Sequence, residues 1–484
     1  MDHKLKILFV ATEVHPFAKT GGLADVSSAL PSALKKLGHD IRVIMPKYPC
    51  TTKAGKTIEP LNLNVDISTG NTCHKGYLFQ SELSEGIALY LIEQSEYYDR
   101  EHLYGEPDCE YSDNVERFSY FCQAVLEACK KLNFQPDIIH CNDWHTGLIP
   151  VYLKTQGDSW FSQTKTLFSI HNLGYQGNFH HSSFAATGLD DSVFHSDGVE
   201  FYGQFSFLKG GLMYADVLTT VSPAYSKEIQ TPELGFGMEG ILQQRSDQLH
   251  GILNGVDDTV WNPETDASLI THYGPQSLSG KNTCRQDLEK ALSLQLNIDT
   301  PILCMITRLS EQKGIDLIMQ AQEALNNLDL SLIILGTGEK HYESFFQQWQ
   351  EKRPDRIVAA IKFDESLGHR ILAGSDMILI PSHYEPCGLT QMYALKYGTV
   401  PIVRDVGGLK NSIQEFNLKT KKGTGFKFET PKIEFLLKSL QKALGCFKQR
   451  KTWEKLMLNG MNQDNSWEFS AQQYSNLYQK SLLP

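Results

Sequence analysis

Short apolar runs alternate with stretches of helical periodicity, and the alternation occurs twice along this chain. No other feature restricts the fold so much. Residues 5–12 read as a strand. Leu23, Val26, Leu30, Leu34 and Leu37 then recur at helical spacing, and Gly38 marks the end of that helix. Ile41 to Met45 form the next strand, before Pro46, and 137–140, 166–170 and 217–221 follow. After a polar, turn-rich stretch near 255–300 the pattern restarts, with strands at 302–306, 331–335, 357–361, 377–380 and 400–403. Buried strands separated by helices imply parallel sheets covered on both faces. The restart predicts an α/β fold of two doubly wound lobes with a boundary near Asn254-Gly255-Val256-Asp257. The lobes are taken as 1–255 and 256–465. The aromatic, amphipathic stretch 466–484 reads as a helix packing on one of them.

Composition removes several function classes. The chain has 484 residues, 41% hydrophobic and 21% charged, enough to build sizeable cores. Its net charge is −11, with no dense run of Lys and Arg, which argues against a nucleic acid or an anionic membrane as partner. The ten cysteines include no C-x-x-C pair, as expected of a reduced, cytoplasmic protein. Ile7 to Ala11 is too short for a signal-peptide core, and Glu13 follows at once. No stretch approaches the ~20 apolar residues of a membrane span.

The unusual polar clusters come directly after strands. In open parallel sheets ligands bind outside the carboxyl ends of the strands, so such clusters can face one crevice although far apart in sequence. Lys19-Thr20-Gly21-Gly22-Leu23 opens a helix. Its glycines admit close backbone approach, and Lys19 with the helix N-terminus favours an anion, most simply a phosphate. His140-Cys141-Asn142-Asp143-Trp144-His145 offers two histidines at a spacing poor for one helical face and without a third ligand. Asp143 as a hydrogen-bonding carboxylate beside Trp144 is the better reading there, and no metal is expected. His171, after strand 166–170, could donate to a sugar or be a satisfied structural residue. Arg308 and Lys313 with Gly314 suit a diphosphate, or are a solvated pair. Pro381 to Gln391 carries the strongest signal: Glu385 can accept sugar hydroxyls, while Gly388, Leu389 and Thr390 present N–H groups at a helix start. Gly235-Phe-Gly-Met-Glu-Gly240 matches G-x-G-x-x-G. Thr231-Pro-Glu233 precedes it where a strand is required, so the dinucleotide reading fails. No D-x-D triad is present to hold a metal on a nucleotide sugar.

Taken together, Lys19-Thr-Gly-Gly-Leu-Ala-Asp25, Asp143-Trp-His145, His171 to Gly177, Gly237-Met-Glu-Gly240, Leu253 to Asp257, Arg308 with Gln312-Lys313-Gly314, and Glu385-Pro-Cys-Gly-Leu-Thr-Gln391 resemble bacterial glycogen synthase and plant starch synthase. The likeness runs in order from about residue 5 to 480. It implies the GT-B arrangement, two Rossmann-like doubly wound domains facing a central cleft, with the acceptor side on the first and the donor side on the second. It also implies a retaining transfer of glucose from ADP-glucose to the non-reducing end of an α-1,4-glucan such as glycogen. ADP-glucose is then a co-substrate, and no cofactor or metal is required.

Carried over by the same resemblance, Lys19, Gly22 and Asp25 belong to the donor-phosphate side of the cleft. Arg308 and Lys313 stabilise the departing diphosphate, and Glu385 sits near donor sugar and ribose. Gly388, Leu389 and Thr390 lie on the phosphates, His171 faces the glucose, Asp143 shapes the acceptor side and Asn254 touches the glucose. Two departures stand out. Many related retaining transferases carry a second glutamate eight residues after the first, where this chain has Tyr393, a difference that separates subfamilies. The usual G-G-L-A-D-T reads Gly407-Gly-Leu-Lys-Asn-Ser412, so Lys410 and Asn411 alter the charge at a helix start. Among retaining routes, same-face displacement is favoured over a covalent intermediate, for which Asp143 is the only remote nucleophile. The nearest alternative is another nucleotide-sugar transferase on the same fold. Intact Lys19, Arg308, Lys313 and Glu385 argue against a carbohydrate-binding protein with a dead site, and a nicotinamide dehydrogenase fails for lack of a placed dinucleotide fingerprint.

Overall fold

The computed structural model describes residues 4–70, 72–84, 86–106 and 109–483. The chain divides into two compact units. One runs to Asn254 and takes back the segment from Trp467, and the other spans Gly255–Ser466.

The sheet of the first unit is seeded by Lys6–Val10, whose Ile7 to Val10 are buried. A strand apolar on both faces has to lie mid-sheet. Asp40–Pro46 pairs parallel on one side of it and Ile138–Asn142 on the other, with Phe9 opposite both Val43 and His140. The nine strands run in the order Leu249–Gly251, Val217–Thr220, Lys165–Ile170, Ile138–Asn142, Lys6–Val10, Asp40–Pro46, Ala88–Glu93, Tyr77–Glu82, Glu59–Asn64. Helix Gly22–Lys36 buries Leu23, Val26, Leu30 and Leu34. The closing helix Trp467–Ser481 packs on this unit. Tyr478 and Ser475 hydrogen-bond the buried His140 (2.7 Å) and His39 (2.8 Å).

The second sheet is wholly parallel, in the order Ile357–Ala360, Ser331–Leu335, Ile302–Ile306, Met377–Ile380, Val400–Arg404, Phe426–Phe428. Leu303, Met305, Ile318, Trp349 and Leu440 form its core. In both units the first strand is central, the next two parallel strands lie to one side and the fourth to the other. Strand order therefore reverses between Lys6–Val10 and Ile138–Asn142, and again between Ile302–Ile306 and Met377–Ile380. At such a reversal the loops leaving the two strands diverge and open a crevice.

Several elements differ from the sequence reading, which missed the strands Ala88–Glu93, Leu249–Gly251 and Phe426–Phe428. The first sheet is not purely parallel: Tyr77–Glu82 and Glu59–Asn64 add an antiparallel edge. A small antiparallel sheet, Asn178–His180, Gln204–Ser206 and Glu200–Phe201, also stands outside the alternation. These strands are short and partly exposed, so no apolar run announces them. The stretch read as turn-rich contains helix Ser279–Ala291. Its inward face carries Lys281 and Arg285, which hides its periodicity. Lys281 Nζ donates to the carbonyls of Leu372, Ala373 and Tyr397 and to Thr399 Oγ1, and Arg285 pairs with Asp376 at 2.7 Å. These cations are buried because each finds its acceptors there. Among the described residues no helix is long and apolar enough to cross a membrane.

Candidate active site

In the second unit the loops at the strand reversal are knitted together around Glu385. Lys313 Nζ donates to both carboxylate oxygens of Glu385, at 2.8 and 2.7 Å, and Ser382 Oγ donates to Oε2 at 2.8 Å. His383 N donates to Gln312 O (2.8 Å), and His383 Nε2 lies 2.8 Å from Asp316 Oδ1. Arg404 also donates to His383 O. Two positive-φ glycines make the crossing possible. Gly314 (φ 72°) lies against Pro381, whose carbonyl oxygen would be 2.3 Å from an added Cβ, and Gly388 (φ 67°) turns the chain into helix Thr390–Lys396. That helix is only seven residues long. Arg308 is exposed at the end of the first of the two strands. Lys410 and Asn411 are exposed on the six-residue helix Gly407–Ser412.

Lys313 and Glu385 were assigned separate duties from sequence, one on the diphosphate and one on the sugar. The structure joins them. The Glu385 carboxylate accepts from both a lysine and a serine, and it holds the ammonium in place.

In the first unit the Lys19 loop is also internally engaged. Glu13 accepts from Thr20 N (2.5 Å), Thr20 Oγ1 (2.7 Å), Gly21 N (3.1 Å) and Tyr104 OH (2.7 Å). Glu13 thus takes up the N–H groups of Thr20 and Gly21, just ahead of helix Gly22–Lys36. Lys19 pairs with Asp25 at 2.9 Å, on the first turn of the helix that Gly22 begins. Lys19, Thr20, Lys53, Glu101, His102 and Tyr104 line a cavity of about 760 Å³.

Asp143 stands at the strand reversal of this unit with φ 56° and ψ 176°, a conformation essentially confined to glycine. Its carboxylate turns to its own backbone and accepts from the N–H groups of His171 (2.7 Å) and Asn172 (3.4 Å). It therefore orients the His171 loop rather than lining an acceptor wall. Burial pushes the Asp143 carboxyl up to about 7, against the lowering pull of those two donors. Asn142 Nδ2 donates to Val10 O and His140 O, which leaves its Oδ1 as the acceptor 2.9 Å from His171 Nε2. His171 thus donates through Nε2 and keeps its lone pair on Nδ1. Burial holds it down to about 4, so it is neutral at pH 7. His140 and His145 do not converge as ligands. His140 bonds Tyr478 and Ser169, and His145 stacks between Trp144 (4.0 Å) and Tyr104 (4.5 Å). Asn254 is 5% exposed, and its buried Oδ1 has no hydrogen-bond partner among the described residues.

Sequence reasoning passed over Glu13, Tyr104, Arg117 and Ser382. Glu13 carried a signal, a carboxylate at the end of a buried strand. Arg117 carried none. It is fully buried and donates to Tyr97 O, Leu103 O and Asn114 Oδ1, which fixes the segment that rims the cavity. The G-x-G-x-x-G stretch follows helix Pro223–Glu228, with no strand between.

Comparison with known proteins matches residues 6–244 to the starch synthase catalytic domain and 289–456 to glycosyl transferases group 1. The chain is 43% identical over 480 residues to a glycogen synthase of Syntrophotalea carbinolica, with 99% of each chain covered. It is 43% identical over 486 residues to one of Thermotoga maritima, again with 99% of each covered. The chain belongs to the glycogen synthase and starch synthase family. Among solved structures, the catalytic domain of starch synthase IV from Arabidopsis thaliana, bound to ADP and acarbose, superposes with a TM-score of 0.93. The identity is 33%, over 99% of this chain and 100% of that one. Sucrose-phosphate synthase from Thermosynechococcus elongatus shares the fold at a TM-score of 0.62 and 17% identity, covering 99% of each chain. The two doubly wound units are the GT-B fold of this family, and the chain is a glycosyltransferase.

Proposed function

We propose that this chain transfers glucose from ADP-glucose to the non-reducing end of an α-1,4-glucan such as glycogen, with retention at the anomeric carbon and release of ADP. The observation that carries the reading is the Lys313–Glu385–Ser382 cluster at the strand reversal of the second unit. Transfer from a nucleotide sugar builds negative charge on the leaving diphosphate. A fixed ammonium at that point favours the transition state over the ground state. Glu385 acts through Lys313, holding it at one position. Arg308 adds a second cation, and Gly388, Leu389 and Thr390 supply backbone N–H groups. Charge on the diphosphate is met by side chains, with no cofactor or metal assigned.

On the first unit, neutral His171 and Asn254 Oδ1, which has no hydrogen-bond partner among the described residues, are assigned to the glucosyl group, and Lys19 to the donor phosphates. Gly22 and Asp25 hold the Lys19 loop. The favoured route is same-face displacement, in which the leaving phosphate takes the proton of the acceptor hydroxyl. Asp143 has its carboxylate turned onto the backbone and does not serve as a nucleophile. The protein is placed in the cytoplasm.

Labelled glucose from ADP-glucose, with glycogen as acceptor, should enter an ethanol-insoluble glucan with stoichiometric ADP release, and UDP-glucose should be the poorer donor. Preference for UDP-glucose would correct the donor. Label only in a small soluble product would overturn the acceptor.

A further inference from the structure

The segment that follows the Asn254–Gly255 junction is pinned within the second unit. Val256 N donates to Asn465 O (2.7 Å), and Asp258 pairs with Lys396 (3.1 Å). Trp261 goes deeper. Its indole, 8% exposed, lies flat between two rings: Tyr393 at 4.0 Å and 5°, and His369 at 3.8 Å and 8°. His369 is itself fixed, with Nδ1 2.7 Å from Asp266 Oδ2, which also accepts from Tyr397 OH. Aromatic pairs more often meet offset or edge to face, so a three-ring stack this parallel reflects backbones held at a set spacing.

Tyr393, Lys396 and Tyr397 lie three and four residues apart, on one face of the roughly two-turn helix Thr390–Lys396 and its C-cap. The segment 256–266 grips that face. The other end of the same helix runs directly into Gly388 and the loop that sets Glu385 against Lys313. A helix this short has no long apolar stripe of its own to hold it. Tyr393 also occupies the position where many related retaining transferases have a second glutamate. Here that position stacks on an indole.

We propose that Trp261 and Tyr393 are positioning residues for the transfer. Their stack fixes helix Thr390–Lys396, and through it the loop from Glu385 to Leu389 and the ammonium that loop holds. The inference rests on the glucosyl-transfer reading above.

The test uses the full chain with Trp261→Leu, Tyr393→Leu and Tyr393→Phe. Its readouts are initial rates with ADP-glucose and glycogen, and thermal melts. Displacing reacting groups by about an ångström costs on the order of 100-fold in rate. Both leucine variants should therefore lose roughly 10- to 100-fold in kcat. KM for glycogen should stay near wild type, and Tyr393→Phe, which keeps the ring, should retain most of the turnover. Folded leucine variants with unchanged kcat overturn the proposal. So does a Tyr393→Phe variant as impaired as Tyr393→Leu, or a rise in glycogen KM that matches the fall in kcat. If the leucine variants do not melt cooperatively, Trp261→Met, which is apolar and long but has no ring to stack, decides: a loss of kcat supports the stack, and wild-type kcat overturns it. A wild-type chain that transfers no glucose defeats the functional reading and this one together. An active wild type with indifferent variants defeats only this one.

Discussion

A lysine and a glutamate separated by 72 residues meet at 2.7 Å because two neighbouring strands end beside each other. Lys313→Ala removes the ammonium and leaves a nearly buried carboxylate with Ser382 as its remaining partner. Turnover should fall about 100- to 1000-fold, the scale of losing one preorganised charge-stabilising donor, while glycogen binding by sedimentation changes little. Equal losses in both would mean that Lys313 serves binding alone. Asp143 makes a contrasting case. Its carboxylate satisfies two backbone donors while its own backbone is strained. Asparagine keeps an accepting oxygen and meets the same backbone strain as the aspartate it replaces. Asp143→Asn should therefore melt within a few degrees of wild type at pH 8. Asp143→Ala strands buried N–H groups and should cost about 1–3 kcal/mol by denaturant titration.

At the scale of elements, glycines decide how closely loops approach. Gly408, the second residue of helix Gly407–Ser412, presses on the Glu385 loop. An added Cβ would sit 2.0 Å from Cys387 O, and Gly408 N already donates to Glu385 O at 2.9 Å. Backbone on both sides leaves no flexible side chain to yield. Gly408→Ala should cost about 1–3 kcal/mol as overpacking, and it should lower kcat by displacing Glu385 although residue 408 touches no substrate. Wild-type kcat in this variant would show that the loop has slack.

At the scale of the molecule, the chain returns to its first unit at Trp467, and the returning helix covers His39 and His140. Ending the chain at Ser466 should destabilise the first unit and spare the second, which peptide-resolved hydrogen exchange can separate. The same experiment reads pH. Burial holds His171 down to about 4 and His140 and His145 well below their ordinary value of 6.5. Below 6.5 the unfolded chain therefore binds more protons, and stability that is complete above 6.5 drains away on acidification. Asp143 works in the opposite sense. Its carboxyl is raised to about 7 from 3.8, so its contribution is complete below 3.8 and is lost as pH rises to 7. With His250 also lowered by burial, four histidines against one raised carboxyl leave a net loss on acidification. Protection in the first unit should fall between pH 7 and 5 before it falls in the second. Parallel loss in both units would contradict this.

The sequence by itself determined the alternation of strands and helices, since a strand buried on both faces must be apolar throughout and a covering helix must repeat every three to four residues. It also singled out the loops that are candidates for chemistry, because polar residues crowded after a buried strand have few structural reasons to be there. Lys19, Asp143, His171, Arg308, Lys313 and Glu385 were legible on that ground. Their partners were not. That Glu385 holds Lys313, that Glu13 fills the amides of the Lys19 loop, and that Asp143 serves the His171 backbone depend on which strand ends are neighbours, and strand order is a property of long-range pairing. Helix Ser279–Ala291 and the antiparallel edge strands escaped for a related reason. Their residues are polar, and only the folded surroundings, with carbonyls waiting for Lys281 and a carboxylate for Arg285, make burying them favourable.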